Sequence, residues 1–314
     1  MDEVKITAER IKRLEIQGAT SIALASIKAL AGYVKQIKVT DRNEVLDKVQ
    51  KAARELAYAR LTEPATRNSL RYICGVLTES DWCDGKSLIE ETTKAEAHLL
   101  ELFRSSREKV VDYGSRRIRD GYVVFTHCHS SAVTEVLRKA RDKGISFEVI
   151  VTETRPVYQG RITARELIEM GLKCTMITDS AARSFINGAD IVMVGADAVT
   201  SEGSFINKIG TSFVALLANE SRVPFYEVTE LIKFDHSTIL GEYEKIEERS
   251  PDEVWPDAPR GLIIRNPAFD VTRRDRVHGL VCEAGVIPPG SAMQEVRRLH
   301  PWILDLPELA PPGL

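Results

Sequence analysis

The chain has 314 residues, of which 28% are charged, and its formal net charge at neutral pH is −3. That length supports one large domain or two without disulfide or metal stabilisation, and the balanced charge argues against a nucleic-acid partner, which usually selects a basic excess. The first 20 residues are charged throughout, and no uncharged run approaches the roughly 18 residues that span a bilayer, so we expect a soluble cytoplasmic protein with no membrane partner.

The first third of the chain has the apolar spacing of helices. The stretch from Thr40 to Leu61 opens with a capping residue, Thr40 or Asp41, and then repeats apolar residues at helical intervals. The stretch from Lys86 to Ile118 continues this pattern. Strand signals are absent, so we predict an N-terminal helical domain over residues 1–118.

From Gly121 onward, short apolar runs rich in β-branched residues alternate with predicted helical stretches at residues 131–143, 162–170, 181–187 and 209–219. Strands that are buried on both faces of a parallel sheet require such runs. We therefore predict an α/β fold in which the helical domain is followed by a Rossmann-like, mainly parallel α/β domain over residues 119–314. The predicted strands are "YVVFTHC", "FEVIVTE", "CTMITD", "DIVMVGAD", "PFYEV", "GLIIRN" and "HGLVCEAG".

Polar residues follow the predicted strands at their carboxyl ends, where open α/β sheets bind ligands. No G-x-G-x-x-G motif or P-loop accompanies them, so a dinucleotide or nucleoside triphosphate site of the usual kind is not indicated. The polar segments are Thr126–His129, Glu153–Arg155, Asp179–Ser180, Gly195–Asp197 and Asn207–Thr211.

Cys128 lies between His127 and His129 at the first of these strand ends. Adjacent residues on extended backbone point to opposite faces, so the three side chains cannot easily converge on one metal, and we expect no metal site. The amides at the start of the following helix would favour an anion and lower the pKa of the thiol, which would suit a base or nucleophile. The alternative is a buried cysteine that acts as a small hydrophobe.

Asp197 follows the apolar run "IVMVGA". Desolvation in an apolar site would raise the pKa of this carboxyl and suit it to act as a general acid. The alternative is an aspartate that caps a helix or stabilises a turn.

The segment "NKIGT", which contains Asn207 and Lys208, precedes an apolar helix. Free helix amides, a small glycine and a lysine charge could cradle a phosphate, although the segment could equally be a capped helix start. Arg155 could likewise bind an anion, or it could pair with Glu153 in a structural loop.

Eight motifs occur in the order, and at about the spacing, found in archaeal ribose-1,5-bisphosphate isomerases, which this chain therefore resembles. That family is similar to methylthioribose-1-phosphate isomerases and to the alpha, beta and delta regulatory subunits of the exchange factor for translation initiation. The resemblance is close over residues 121–290 and looser over the helical region. The motifs are "THCHS", "VTETRPVYQG", "TDSAA", "GADAV", "INKIGT", "KFD", "NPAFDVT" and "GVIPP".

The resemblance implies an aldose–ketose isomerase that converts ribose 1,5-bisphosphate to ribulose 1,5-bisphosphate in AMP degradation, without a metal or organic cofactor. Cys128 would be the base and Asp197 the acid; this pair separates the enzymes from the regulatory subunits. The alternatives are an isomerase of another pentose 1-phosphate, such as methylthioribose 1-phosphate, a non-catalytic regulatory subunit, and a hydride shift in place of proton transfer. The substrate-binding residues implied are Gly18, Ala19, His129, Ser130, Arg155, Asn207, Lys208 and Lys233.

Two stretches depart from the family pattern. Gln17 replaces the arginine of an Arg-Gly-Ala segment, and Glu63 replaces the arginine of a Thr-Arg-Pro-Thr segment. A glutamate near a phosphate would repel it. Another arginine therefore substitutes, or the substrate has one phosphate fewer; the available arginines are Arg60, Arg67 and Arg71.

The resemblance also implies a homo-oligomer, a dimer that can build into a hexamer as a trimer of dimers. The late segments "NPAFDVT" and "GVIPPGSA" resemble stretches near the dimer contact. Apolar residues there could bury into a partner or fill the chain's own sheet. They are Ile263, Ile264, Ala268, Phe269, Val286 and Ile287.

Overall fold

The computed structural model describes residues 2–38, 41–241 and 246–309. These residues group into two compact units. The first takes in the described residues of Met1–Ser105, Ile232–Glu244 and Gln294–Leu314, and the second those of Ser106–Leu231 and Lys245–Met293. The domain boundary placed after residue 118 stays a prediction, because a compact unit need not fold alone.

Helices form the N-terminal third of the chain, as the apolar spacing predicts. The Asp41 side chain accepts a hydrogen bond of 2.9 Å from the Glu44 amide and so caps the third helix, whereas Thr40 lies outside the described residues. No helix in the described part of the chain is both long and apolar enough to cross a membrane. The helices are α1 (Asp2–Lys12), α2 (Ala19–Val34), α3 (Arg42–Ala57), α4 (Pro64–Glu79) and α5 (Gly85–Ser115).

The second unit contains a seven-stranded sheet whose strands are parallel except for the last one, which confirms the predicted fold class. Its spatial order is β10-β9-β7-β4-β1-β2-β3. The strands of this sheet are β1 (Val123–Thr126), β2 (Glu148–Thr152), β3 (Lys173–Ile177), β4 (Ile191–Gly195), β7 (Phe225–Val228), β9 (Gly279–Cys282) and β10 (Gly285–Ile287).

A second, antiparallel sheet of three strands was not predicted. It consists of β5 (Ala198–Val199), β6 (Phe205–Lys208) and β8 (Phe269–Thr272), in the order β5-β6-β8. The predicted strand "GLIIRN" is wrong, because that segment has no strand pairing and exposes Leu262 and Ile263. Apolar composition alone therefore misplaced one strand and missed a short sheet.

Helices connect the strands of the main sheet. Residues 181–187, predicted as one helix, instead form the four-residue α8 between two short 3₁₀ turns, Asp179–Ala181 and Ile186–Gly188. The remaining helices are α6 (Ser131–Asp142), α7 (Gly160–Glu169), α8 (Ala182–Phe185), α9 (Thr211–Glu220), α10 (Ala292–Leu299) and α11 (Trp302–Asp305).

Helix α6 packs on the sheet through residues at helical spacing. Val133, Val136, Leu137 and Ala140 are buried together with Val124 of β1 in the main hydrophobic cluster of the unit. This packing fixes the short connection between β1 and α6, which contains Cys128.

Candidate active site

Cys128 follows β1 and has a left-handed backbone, with φ of +67°. This conformation is uncommon for a residue other than glycine. The Cys128 amide donates to the Thr154 hydroxyl at 2.9 Å, and the Cys128 carbonyl accepts from the Thr163 hydroxyl at 2.9 Å. Both backbone groups of Cys128 are therefore fixed by threonine side chains, and we call Thr154 and Thr163 the threonine clamp.

The Cys128 thiol is buried, and burial raises its pKa to about 12. The positive charge of Lys208 and a hydrogen bond from the His129 backbone lower this pKa, whereas the charges of Asp197 and Asp179 raise it further. The expectation of a lowered pKa is therefore wrong, because desolvation outweighs the one nearby amide and the lysine. The charges of Lys208, Asp197 and Asp179 therefore all act on the thiol.

The two histidines beside Cys128 have different partners. His127 is buried, and its Nε2 atom lies 2.9 Å from the Ile209 carbonyl while Nδ1 lies 2.6 Å from the Thr152 hydroxyl. Since a carbonyl only accepts, Nε2 donates and Nδ1 accepts from Thr152. Burial lowers the pKa of His127, which favours this neutral form.

His129 contacts a separate set of groups. Its Nδ1 atom lies 3.1 Å from the Thr163 hydroxyl, and its Nε2 atom lies 3.7 Å from Glu166. Because the Thr163 hydroxyl donates to the Cys128 carbonyl, His129 Nδ1 donates to it. Among the described residues, no group of three or more His, Cys, Asp or Glu side chains is arranged to hold a metal ion.

Ser130 caps α6, and its hydroxyl accepts from the Val133 amide at 3.5 Å. A Cβ atom on Gly195, at the end of β4, would lie 2.4 Å from the Ser130 hydroxyl oxygen. Gly195 is therefore needed because a side chain at this position would clash with Ser130.

Asp197 is half-buried, and its amide donates to the Ile206 carbonyl at 2.8 Å in the turn between β4 and the smaller sheet. Strand β5 follows it, so the helix-cap alternative for Asp197 is wrong. Asp197 is close enough for its charge to raise the pKa of the Cys128 thiol. The roles of these two residues as base and acid stay predictions.

Asn207 and Lys208 lie in strand β6, which was not predicted. The Asn207 amide group donates to the Thr211 hydroxyl at 2.9 Å. Lys208 is buried, and its Nζ atom lies 4.7 Å from the centre of the Phe269 ring. The lysine charge thus remains available near the thiol, held by an aromatic ring.

The start of α9 is already occupied by a carboxylate. The Gly210 and Ser212 amides donate to Asp270 at 2.8 and 3.1 Å, and the Ser212 hydroxyl donates to it at 2.8 Å. Two of the amides at this helix start therefore already have an acceptor, and a phosphate cradle there stays a prediction. Gly210 itself has φ of +101°, and a Cβ atom there would lie 3.0 Å from the His127 ring.

Arg155 follows β2 and is joined to Pro156 by a cis peptide bond. Its guanidinium donates to the Tyr158 hydroxyl at 2.8 Å and to the Val254 carbonyl at 2.9 Å. Glu153 lies 3.8 Å from Arg161, so the alternative ion pair between Glu153 and Arg155 is not formed. A role for Arg155 in binding an anion stays a prediction.

Three other predicted binding residues belong to the first unit. Gly18 caps α2 with φ of +83°, Ala19 is the first, buried residue of that helix, and Lys233 ends a short 3₁₀ turn and is also buried. Their part in substrate binding stays a prediction.

The two departures from the family pattern have different surroundings. Gln17 is exposed, and its side-chain amide donates to the Leu14 carbonyl at 2.8 Å, whereas Glu63 lies in a buried, charged part of the first unit. Glu63 is 1% exposed and lies 3.6 Å from Arg60, so a cation already compensates its negative charge. Arg67 pairs with Asp235 at 3.3 Å, and Arg71 donates to the Asn68 side chain at 3.0 Å. That one of these arginines binds the substrate phosphate in place of the family's arginines stays a prediction.

Residues 15–289 match the model of a family described as the initiation factor 2 subunit family. The chain belongs to this family. It is 41% identical over 305 residues to the ribose 1,5-bisphosphate isomerase of Methanocaldococcus jannaschii, covering 96% of this chain and 97% of that one. The corresponding isomerase of Archaeoglobus fulgidus is 40% identical, with 93% and 92% covered.

A methylthioribose-1-phosphate isomerase from Desulforamulus reducens is 36% identical to this family member, over 89% of this chain and 85% of the relative. All three relatives are named as isomerases, which confirms the prediction that the chain is an enzyme of this class. The predicted resemblance to this group of proteins is confirmed as well.

Solved structures show that the fold serves more than one activity. The family member matches the translation initiation factor eIF-2B of Pyrococcus horikoshii with a TM-score of 0.78 and 28% identity, over 94% of this chain and 100% of that one. It matches 5-methylthioribose 1-phosphate isomerase from the same organism with a TM-score of 0.76 and 28% identity, over 95% and 88%. The fold alone therefore does not distinguish an enzyme from a regulatory subunit, and the residues of the site must make that distinction.

Proposed function

We propose that this protein converts ribose 1,5-bisphosphate to ribulose 1,5-bisphosphate. It is a sugar-phosphate isomerase, and the relatives at 41% and 40% identity carry the name of this particular activity over nearly their whole lengths. The observation that carries the proposal is this identity over 96% and 93% of the chain. The buried Cys128 thiol, on which the charges of Lys208, Asp197 and Asp179 act, supports it as a water-poor site in which Cys128 is the proton acceptor and Asp197 the proton donor.

Such a substrate has its anomeric oxygen locked by phosphate, so the ring must be opened by the enzyme. In the proposed reaction Cys128 takes the C2 proton while the bond from C1 to the ring oxygen breaks and Asp197 protonates that oxygen. The resulting enol phosphate has a double bond between C1 and C2. Its C2 hydroxyl gives a proton to the Asp197 carboxylate as the carbonyl forms, and Cys128 returns its proton to C1, so that both groups are regenerated.

The raised pKa of Cys128 sets a condition on this route. Burial keeps the thiol neutral, so it must lose its proton before it can accept one from C2. The Lys208 charge favours the thiolate, since it lowers the pKa that burial raises.

A hydride shift is the alternative mechanism: the hydrogen on C2 moves to C1 with its electron pair as the bond from C1 to the ring oxygen breaks, Asp197 protonates that oxygen, and the C2 hydroxyl proton returns to the Asp197 carboxylate as the carbonyl forms. The neutral thiol favours this route, because the hydrogen on C2 then needs no base. Substrate with deuterium at C2 separates the two. Transfer through Cys128 exchanges part of the deuterium with water, whereas a hydride shift keeps all of it at C1 of the product.

The proposal is tested with the purified protein and four substrates: ribose 1,5-bisphosphate, methylthioribose 1-phosphate, ribose 1-phosphate and deoxyribose 1-phosphate. We expect kcat/KM for the bisphosphate to exceed the others by about 10-fold or more, since one charge-assisted hydrogen bond to the second phosphate contributes about 1.5–3 kcal/mol. A preference for methylthioribose 1-phosphate would assign the chain to the other isomerase. Turnover of none would favour the regulatory subunit.

A further inference from the structure

Asp179 follows β3 at the edge of the main sheet and is half-buried. Its two carboxylate oxygens accept from consecutive backbone amides, those of Thr154 at 2.8 Å and Arg155 at 2.7 Å. Hydrogen bonds to an ionised acceptor are short and are stronger than those between neutral groups. The carboxylate therefore fixes the backbone at the point where the chain leaves β2.

Thr154 has a left-handed backbone, with φ of +62°. For a β-branched residue this conformation is a genuine outlier, and it persists only where surrounding contacts over-determine it. The Thr154 hydroxyl accepts from the amide of Cys128, which is itself left-handed. Two strained residues are thus joined by one hydrogen bond, and Asp179 holds the first of them.

We infer that Asp179 is a positioning residue for Cys128, acting through Thr154. Without the carboxylate, the Thr154 backbone can relax toward negative φ, and its hydroxyl then moves away from the Cys128 amide. The Thr163 half of the threonine clamp would remain, but one bond leaves the Cys128 backbone free to rotate. The inference rests on the proposed function, in which the Cys128 thiol exchanges protons with substrate.

Asp179 also acts on the thiol by its charge. Together with Asp197 it opposes Lys208, and its Oδ1 atom lies 4.0 Å from His127 Nδ1. Replacement of Asp179 therefore has two effects that must be separated: it loosens the Cys128 backbone, and it removes a negative charge that disfavours the thiolate. Thr154 variants change the position alone, because they leave every charge in place.

The experiment measures two properties of the full-length protein: turnover of ribose 1,5-bisphosphate, and the alkylation rate of Cys128 by iodoacetamide, resolved by peptide mass spectrometry. The exposed Cys83 is the internal reference for alkylation. The variants are Thr154→Val, which keeps the shape but removes the hydroxyl, Thr154→Ser, which keeps the hydroxyl, Asp179→Ala and Asp179→Asn. Asp190→Asn is the matched control, since Asp190 accepts from the Val123 amide at 2.8 Å at the start of a strand.

We expect Thr154→Val and Asp179→Ala to lower kcat by about 10- to 100-fold with KM within about threefold, because misplacement of a reacting group affects the chemical step. Thr154→Ser should stay within about threefold of the wild type, and Asp190→Asn should match it. Cys128 should be alkylated faster in Thr154→Val and Asp179→Ala than in the wild type. Asp179→Asn should show the additional effect of the lost charge, a shift of Cys128 alkylation to lower pH.

Wild-type kcat in Thr154→Val and Asp179→Ala would overturn the inference. So would an equal loss in Thr154→Ser and Thr154→Val, which would assign the effect to side-chain shape. If Thr154→Val does not fold, the isosteric Asp179→Asn replaces it. A lowered kcat with faster alkylation of Cys128 supports the inference, and wild-type values of both overturn it. If the wild type isomerises no sugar phosphate, the proposed function fails, and the alkylation rates still decide whether Asp179 and Thr154 restrain Cys128.

Discussion

Burial keeps the Cys128 thiol protonated at neutral pH, whereas the charge of Lys208 favours its anion. The chemistry of Cys128 therefore depends on how far bound substrate changes the pKa of the thiol. Neither burial nor the left-handed backbone of Cys128 is visible in the letters "THCHS". The motif could predict that the residue matters, but the direction of its pKa shift required the three-dimensional packing around it.

We predict that Cys128→Ser and Asp197→Asn each lower kcat by about 10²-fold or more, the scale expected for loss of a general base or acid. Melting temperatures should stay close to the wild type. Steady-state kinetics test this, with the exposed Cys83→Ser as the control that should keep full activity. Wild-type kcat in either active-site variant would remove that residue from the mechanism.

Lys208→Ala is expected to raise KM for the sugar phosphate and to move the alkaline rise in kcat/KM to higher pH. The sign follows from the lysine charge, which lowers the pKa of the Cys128 thiol, so that its removal raises that pKa further. Because Lys208 is buried against Phe269, some stability should be lost too. Lys208→Met keeps the aliphatic packing and separates the two effects; an unchanged KM in both variants would indicate a structural lysine.

At the scale of elements, regular patterns were predictable and local breaks were not. The apolar spacing of α3 matches its buried face, and the Asp41 cap was one of two candidates named from sequence. The 181–187 segment breaks into short turns around α8, and β6, a strand that was not predicted, contains Asn207 and Lys208. Strand β6 depends on its pairing with β8, which lies far along the sequence and which local patterns do not report.

Asp270 accepts hydrogen bonds from two amides at the start of α9. Asp270→Ala should lower the free energy of unfolding by about 1–3 kcal/mol, since the Gly210 and Ser212 amides lose their acceptor in a partly buried site. Asp41→Ala, which removes one bond from the exposed start of α3, should cost less, about 0.5–1 kcal/mol. Urea titration of both variants tests the order, and the reverse order would contradict the role given to Asp270.

For the whole molecule, we predict that stability falls as the solution is acidified below about pH 6.5. Burial lowers the pKa values of His98, His127 and His129, so the unfolded chain binds protons that the folded chain does not. The free energy of unfolding should therefore be about 1 kcal/mol or more lower at pH 5.5 than at pH 7.5. His127→Gln should make this dependence shallower, and an increase in stability at pH 5.5 would contradict the prediction.

Assembly also belongs to this scale. We predict that light scattering at low micromolar concentration gives a mass at least twice that of one chain. An obligate dimer buries on the order of 2,000 Å² or more, and it therefore stays associated at that dilution. Ile263 is 85% exposed and Val286 is 41% exposed, so these two remain candidates for a contact. Ala268 and Phe269 instead fill a cluster within the chain. A monomer with full isomerase activity would contradict the prediction.

The carboxylate at the start of α9 has a consequence for how a phosphorylated sugar can be held. A helix end that already binds Asp270 has little positive potential left for a ligand. Recognition of phosphate then depends on side-chain charges such as that of the buried Lys208, which dissolved ions screen less than they screen an exposed charge. Substrate affinity should therefore decline only gradually as the ionic strength rises.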